Sequence, residues 1–256
     1  YYIFRKDYSK RAIENGYDQE NRAIKNSDLI ILASEWAKTT AIKYHHADPE
    51  KCVVVNRGAN IKRSLNGIDI QNIINKRSAS NGTGECNFMF LGTDWVRKGG
   101  PLAVQVMKEL KTRYGIQAKL RIVGCQPEIL EEDKENVDII GYHNKNKSDD
   151  YQKLEQIFKS SDFFLLPTRR EAQGISYTEA CSWGVPVIGT DTGGVSGVIN
   201  DGVNGFLLRK EDTAEVYAKR IYDVISNTEK YKSQAYSTYK FCMEYLTWDS
   251  VGKRIN

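Results

Sequence analysis

Several things are scarce or missing in this 256-residue chain, and each absence removes a class of function. No stretch approaches the roughly 20 consecutive apolar residues of a membrane-spanning helix. The five cysteines (Cys52, Cys86, Cys125, Cys181 and Cys242) are scattered, odd in number and without CxxC spacing. That pattern argues against a zinc site or a disulfide framework and for reduced, cytosolic thiols. A net charge of +4 is too small and too dispersed to point to nucleic acid. There is no GxGxxG fingerprint, no GxxxxGK followed by Ser or Thr, no GxSxG elbow and no HExxH helix. These absences count against a nicotinamide dehydrogenase, a P-loop NTPase, an α/β-hydrolase and a zinc protease in turn. Asp149-Asp150 reads as an acid pair at a helix start, not as metal ligands. The chain opens at Tyr1-Tyr-Ile-Phe, without an initiator Met or a signal-peptide pattern, and is expected to be an excised fragment.

What is present is an alternation of apolar runs and amphipathic segments. Asp28-Leu-Ile-Ile-Leu-Ala33 reads as a buried strand, Ser34–Tyr44 as a helix and Cys52–Val55 as a second strand closing at Asn56-Arg-Gly58. Residues 62–85 are polar and give a linker, clearest at Ser78-Ala-Ser-Asn-Gly-Thr-Gly84. Strands are then expected at Asn87–Leu91, Lys119–Val123, Val137–Ile140, Phe163–Leu166, Val185–Gly189 and Gly205–Leu208. Helices are expected at Pro101–Tyr114, Tyr151–Lys159, Ser176–Trp183, Thr213–Ser226 and Glu229–Leu246, with a short one from Trp248. Such alternation predicts an α/β fold, a parallel sheet covered by helices on both faces. Lys6, Lys10 and Arg11 form either a solvated helix face, the commoner case, or a contact with acidic lipid.

Four loops at strand ends carry the candidate chemistry, because ligands of open parallel sheets lie at the carboxyl ends of strands. In Leu91-Gly-Thr-Asp-Trp-Val-Arg-Lys-Gly-Gly100 the glycines allow close backbone approach, and Arg97 and Lys98 supply positive charge near a helix start. That suggests diphosphate binding, against a plain turn with solvated cations. In Pro167-Thr-Arg-Arg-Glu-Ala-Gln-Gly-Ile-Ser-Tyr-Thr-Glu179, two carboxylates bracket a strand-to-helix loop, and the N–H groups of Gly174, Ile175 and Ser176 would face an anion. Ser176 and Glu179 also fit a capping box, so Glu179 has a structural explanation that Glu171 lacks. Gly189-Thr-Asp-Thr-Gly-Gly194 offers Gly193 and Gly194 to a sugar or makes a simple turn. Gly141-Tyr142-His143 could read a base edge.

Taken in order, Gly92…Lys98-Gly99, Pro167…Glu171-x7-Glu179-Ala180, Gly184-Val-Pro-Val-Ile, Thr192-Gly-Gly194 and Asp201-Gly-x-Asn-Gly-Phe206 resemble the donor domain of retaining family-4 glycosyltransferases of the GT-B fold. The resemblance implies a Rossmann-like donor domain at 86–247 behind a linker at 61–85. Residues 1–60 look like the Rossmann-like end of an acceptor-side domain, and 248–256 like a helix returning to it. It implies a UDP- or GDP-type nucleotide-diphosphate sugar as donor, an unknown acceptor, no metal or other cofactor, and retention of anomeric configuration. Lys98 would meet the diphosphate, Glu179 the ribose and Glu171 the hydroxyls of the transferred sugar. Lys98 and Glu171 are thus the candidate catalytic residues; Arg97, Gly141, Tyr142, Gly174, Ile175, Ser176, Gly193 and Gly194 complete the donor site. Where the family often has Gly-Arg, this chain has Gly92-Thr93, with Arg97 as a substitute cation. Where the family has Gly-Gly-x-x-Glu, the chain has Gly193-Gly-Val-Ser-Gly197. The expected setting is cytoplasmic, with peripheral contact of the intact protein at the inner face of a membrane as the alternative. A non-catalytic nucleotide-sugar module and, further off, a sugar-nucleotide epimerase are the competing functions.

Overall fold

The structure, a computed structural model, describes residues 8–62, 65–79 and 85–255. Its first segment is small. Helix α1 (Lys10–Asn26) starts at Ser9, whose side chain accepts from the Ala12 N–H, and buries none of its residues. Strand β1 (Ile30–Leu32), helix α2 (Glu35–His45) and strand β2 (Cys52–Val54) follow, with β1 and β2 paired in parallel. Lys10 and Arg11 lie on the exposed start of α1, while Lys6 falls outside the described residues.

The larger segment is built on six parallel strands: β3 (Glu85–Leu91), β4 (Gln117–Val123), β5 (Val137–Gly141), β6 (Phe163–Leu166), β7 (Val187–Thr190) and β8 (Gly205–Leu208). Their spatial order is β5-β4-β3-β6-β7-β8. The chain therefore winds outward from β3 in one direction, then crosses back to wind outward through β6 in the other. Because parallel crossovers are right-handed, the two halves put their helices on opposite faces. Helix α4 (Gly100–Tyr114) packs with α7 (Ala214–Ile225), while α3 (Gly67–Ser78) and α6 (Ile175–Ser182) pack against α8 (Thr228–Tyr245). Helix α5 (Ser148–Lys159) joins the second set through Phe158, which stacks on Trp183. All four residues of β6 are buried, as a central strand covered on both faces requires. Helix α9 (Trp248–Ile255) returns to the first segment. A Cβ on Gly58 would sit 2.5 Å from the Trp248 nitrogen, and the Trp248 indole donates to Asn60 Oδ1 at 3.1 Å.

Two readings of the sequence need correction. The stretch taken as a linker, 61–85, contains α3. Ile70 and Ile74 go into the core, and Arg77 donates to the carbonyls of Ser161, Trp183 and Gly184 at 2.7–3.1 Å. The part of the linker at 80–84 lies outside the described residues. The capping box at Ser176 does not form. Helix α6 begins one residue earlier, after Gly174 in the left-handed region (φ 85°), and Ser176 lies inside it without a capping hydrogen bond.

Arg77 shares its surroundings with a buried carboxyl. Asp162, only 1% exposed at the entry to β6, accepts the Asn87 N–H at 2.7 Å. Burial pushes its pKa up to about 6, against the pull of that hydrogen bond and of Arg77 and Arg121. The folded state thus holds this proton more tightly than the unfolded chain does. The stability it contributes is complete below about pH 4 and is lost as pH rises through 6. Urea unfolding of the wild type and Asp162→Asn across pH 4–7 is expected to show the wild type losing up to roughly 3 kcal/mol relative to the variant. A constant difference across that range would contradict the assignment.

Candidate functional site

The winding reverses between β3 and β6, and the loops leaving these neighbouring strands come together at their carboxyl ends. This is the place where such sheets bind ligands. The approach is very close. Gly99 has φ 81°, and a Cβ there would stand 1.8 Å from the Pro167 carbonyl oxygen. The Arg169 N–H donates to the Arg97 carbonyl at 2.8 Å, and the Thr168 hydroxyl donates to the same oxygen at 3.2 Å. The two loops behave as one unit and form the floor of a cleft of about 640 Å³. The loop after β5 supplies one wall, through Tyr142, His143, Asn144 and Lys145. Ala33, Arg57 and Asn60 of the first segment supply another.

Lys98 and Glu171 form an ion pair in this cleft, each side chain nearly buried. Gly92 makes room for it, since a Cβ there would press on Lys98 Cγ at 3.0 Å. Glu179, 2% exposed, projects from α6 and pairs with Lys145. Burial pushes the Glu179 carboxyl up from its ordinary value, and Lys145 pulls it back. Gln173 is 3% exposed and donates its amide to the Arg57 carbonyl at 3.1 Å, while its Oε1 has no partner among the described residues. His143 Nδ1 is likewise buried without a partner among them. Unpaired buried polar atoms lining a cleft are positions where ligand groups restore lost hydrogen bonds.

Most of the residues picked from the sequence meet here. Arg97, Lys98, Tyr142, Glu171, Gly174, Ile175, Ser176 and Glu179 line the cleft. Arg97, however, is already engaged: its Nε donates to Asp94 Oδ2 at 3.0 Å and its Nη1 donates to the Arg170 carbonyl. Gly141 does not line the cleft but turns the chain behind Tyr142, with φ 83°. Gly193 and Gly194 do not line it either. A Cβ on Gly194 would meet the Ala172 carbonyl at 2.0 Å and Ser34 Oγ at 2.5 Å, so this loop packs behind the Glu171 loop and against the first segment. Sequence reasoning missed Lys145, Arg57 and Gln173. A lysine two residues beyond His143 was the only visible hint, because loop charges carry no periodicity.

The domain is a doubly wound α/β fold with a cleft of paired cations and carboxylates at its switch point. The model of the family described as glycosyl transferases group 1 matches residues 73–241, and the chain belongs to that family. It is 24% identical over 231 residues to an uncharacterized glycosyltransferase of Methanocaldococcus jannaschii, covering 87% of this chain and 63% of that protein. It is 23% identical to the D-inositol 3-phosphate glycosyltransferase of Corynebacterium kroppenstedtii, covering 77% of this chain and 45% of that one. The chain thus spans about half to two thirds of the length of these relatives. Among solved structures it is similar to HepE of Anabaena in complex with UDP (TM-score 0.71, 17% identity, 99% of this chain and 68% of that one). It is also similar to WaaG, a glycosyltransferase involved in lipopolysaccharide biosynthesis (TM-score 0.67, 17% identity, 88% and 60%). The fold is that of GT-B glycosyltransferases.

The contact at Gly99 can be separated from ordinary glycine conformational effects. Gly115 is also left-handed, at φ 68°, but a Cβ there would meet nothing within 4 Å. Gly115→Ala is expected to cost only the roughly 1–2 kcal/mol of a left-handed alanine. Gly99→Ala should cost clearly more, measured by chemical unfolding, because the Pro167 backbone must also move. Equal losses would mean that the two loops are not in fixed contact.

Proposed function

We propose that this chain is the donor-binding part of a retaining glycosyltransferase, whose cleft holds a nucleotide-diphosphate sugar and whose full-length form transfers the sugar to an acceptor. The observation that carries this reading is the pairing of cations with carboxylates at the switch point, Lys98 with Glu171 and Lys145 with Glu179. Lys98 and Glu171, both nearly buried, compensate one another, and the partly exposed Lys145 compensates the buried Glu179, which limits the cost of burying these charges. The Lys98–Glu171 pair can also divide on binding, the lysine taking phosphate and the carboxylate sugar hydroxyls, while Glu179 can accept from ribose hydroxyls. Gln173 Oε1 offers one further acceptor for a hydroxyl. The solved relative HepE is in complex with UDP in one structure and with UDP-glucose in another, which supports a nucleotide-sugar partner here.

The chemistry follows from where charge grows. As the anomeric bond breaks, the β-phosphate becomes more negative, and Lys98 with the N–H groups at the start of α6 becomes a better partner for it. Preorganised donors of this kind typically contribute about 2.7–4 kcal/mol each to lowering a barrier. The departing phosphate, on the same face as the acceptor hydroxyl, would take its proton, giving retention without a metal ion. A non-catalytic binding module is the second reading, favoured by the uncharged Thr93 and by Gly197, whose carbonyl accepts the Asn56 amide at 2.6 Å.

Lys98→Ala and Glu179→Ala are each expected to weaken UDP or GDP binding by roughly 1.5–3 kcal/mol, about 10- to 150-fold in Kd by calorimetry. Unchanged affinity in both would remove the reading. In the full-length protein Glu171→Ala should suppress transfer with little change in nucleotide affinity, and chelation with EDTA should leave the wild-type rate unaltered. The product should keep the anomeric configuration of the donor by NMR. A full-length protein that binds nucleotide sugars yet transfers none across a donor panel would establish the binding module instead.

A further inference from the structure

Four cations line the cleft: Arg57, Arg97, Lys98 and Lys145. Three of them already have carboxylate partners, Asp94 for Arg97, Glu171 for Lys98 and Glu179 for Lys145. Among the described residues no carboxylate pairs with Arg57, which comes from the first segment and not from the sheet that forms the floor. Its backbone is fixed to that floor, because its carbonyl accepts the Gln173 amide at 3.1 Å and the adjoining Gly58 is packed under Trp248. Arg57 is therefore the uncompensated positive charge of the cleft, held by a rigid main chain and carried on an exposed side chain. On the floor the corresponding turn offers Gly92 and Thr93, neither of them charged.

We infer that Arg57 is a phosphate-binding residue of the donor site, reaching the diphosphate from the first segment across the cleft in the role that the sequence suggests for Arg97. The inference rests on the nucleotide-diphosphate reading of the cleft. A diphosphate esterified at both ends carries two negative charges, and Lys98, which must part from Glu171 to bind it, matches one. Guanidinium is suited to the other, since its planar donors can engage two phosphate oxygens at once. Placing the second cation on the first segment would also make donor binding draw the two segments together.

Calorimetry with UDP, GDP, uridine and guanosine tests this on the wild type, Arg57→Ala, Arg57→Lys and Arg97→Gln, with melting curves to verify that each variant folds. Arg57→Ala is expected to lose about tenfold or more in affinity for the diphosphate that binds the wild type, to keep its affinity for the matching nucleoside, and to melt normally. Arg57→Lys should recover part of the loss, and Arg97→Gln should change affinity less than Arg57→Ala. An Arg57→Ala protein that binds the diphosphate like the wild type, while Lys98→Ala does not, would overturn the role of Arg57 and leave the donor site standing. A wild type that binds neither diphosphate would overturn both.

Discussion

At Gly99 the chain passes so near the Pro167 carbonyl that no side chain could be accommodated, and the organisation of the cleft follows from that approach. The turn after β3 and the turn after β6 are held as one surface by hydrogen bonds from Arg169 and Thr168 to the Arg97 carbonyl. Lys98 precedes Gly99 directly, and Glu171 follows Pro167 by four residues. Fixing one backbone against the other therefore fixes the ion pair. Gly92, which lies against the Lys98 stem, leaves the space that the lysine occupies.

A second layer of contacts sets the first segment over this surface. The Asn56 amide reaches the Gly197 carbonyl, Ser34 lies against Gly194, and the Gln173 amide reaches the Arg57 carbonyl. Gly197 has no side chain to obstruct this, and a Cβ there would stand 2.7 Å from Asn56 Nδ2. The departure from Gly-Gly-x-x-Glu thus has a packing consequence in this chain, as does the close approach of Gly194 to Ala172 and Ser34. Gly194 and Gly197 serve contact between the segments.

The β6 and β8 strands were legible residue for residue, because continuous apolar runs bounded by polar or glycine residues leave few alternatives for a covered parallel strand. The order of the loops, and hence the meeting of Lys98, Glu171 and Glu179, could also be read. Helix α3 was passed over although Ile70, Ile73 and Ile74 stand at helical spacing, because the polar residues around them read as a linker and the buried Arg77 reads as surface. The supposed cap at Ser176 failed for a local reason: Gly174 takes the left-handed turn that starts the helix, and Glu179 turns to Lys145 in place of its own helix end. Lys145, Arg57 and Gln173 acquire meaning only from partners 34, 116 and 116 positions away, which no local pattern encodes.

The central claim is that the cleft between the β3 and β6 loops is where a nucleoside diphosphate binds. Hydrogen–deuterium exchange of the chain with and without saturating UDP or GDP tests it without any substitution. The account predicts protection concentrated at residues 92–100, 142–146 and 171–179, with a smaller effect around 56–60. Protection confined to other surfaces, or none at a concentration where binding is measurable, would contradict it.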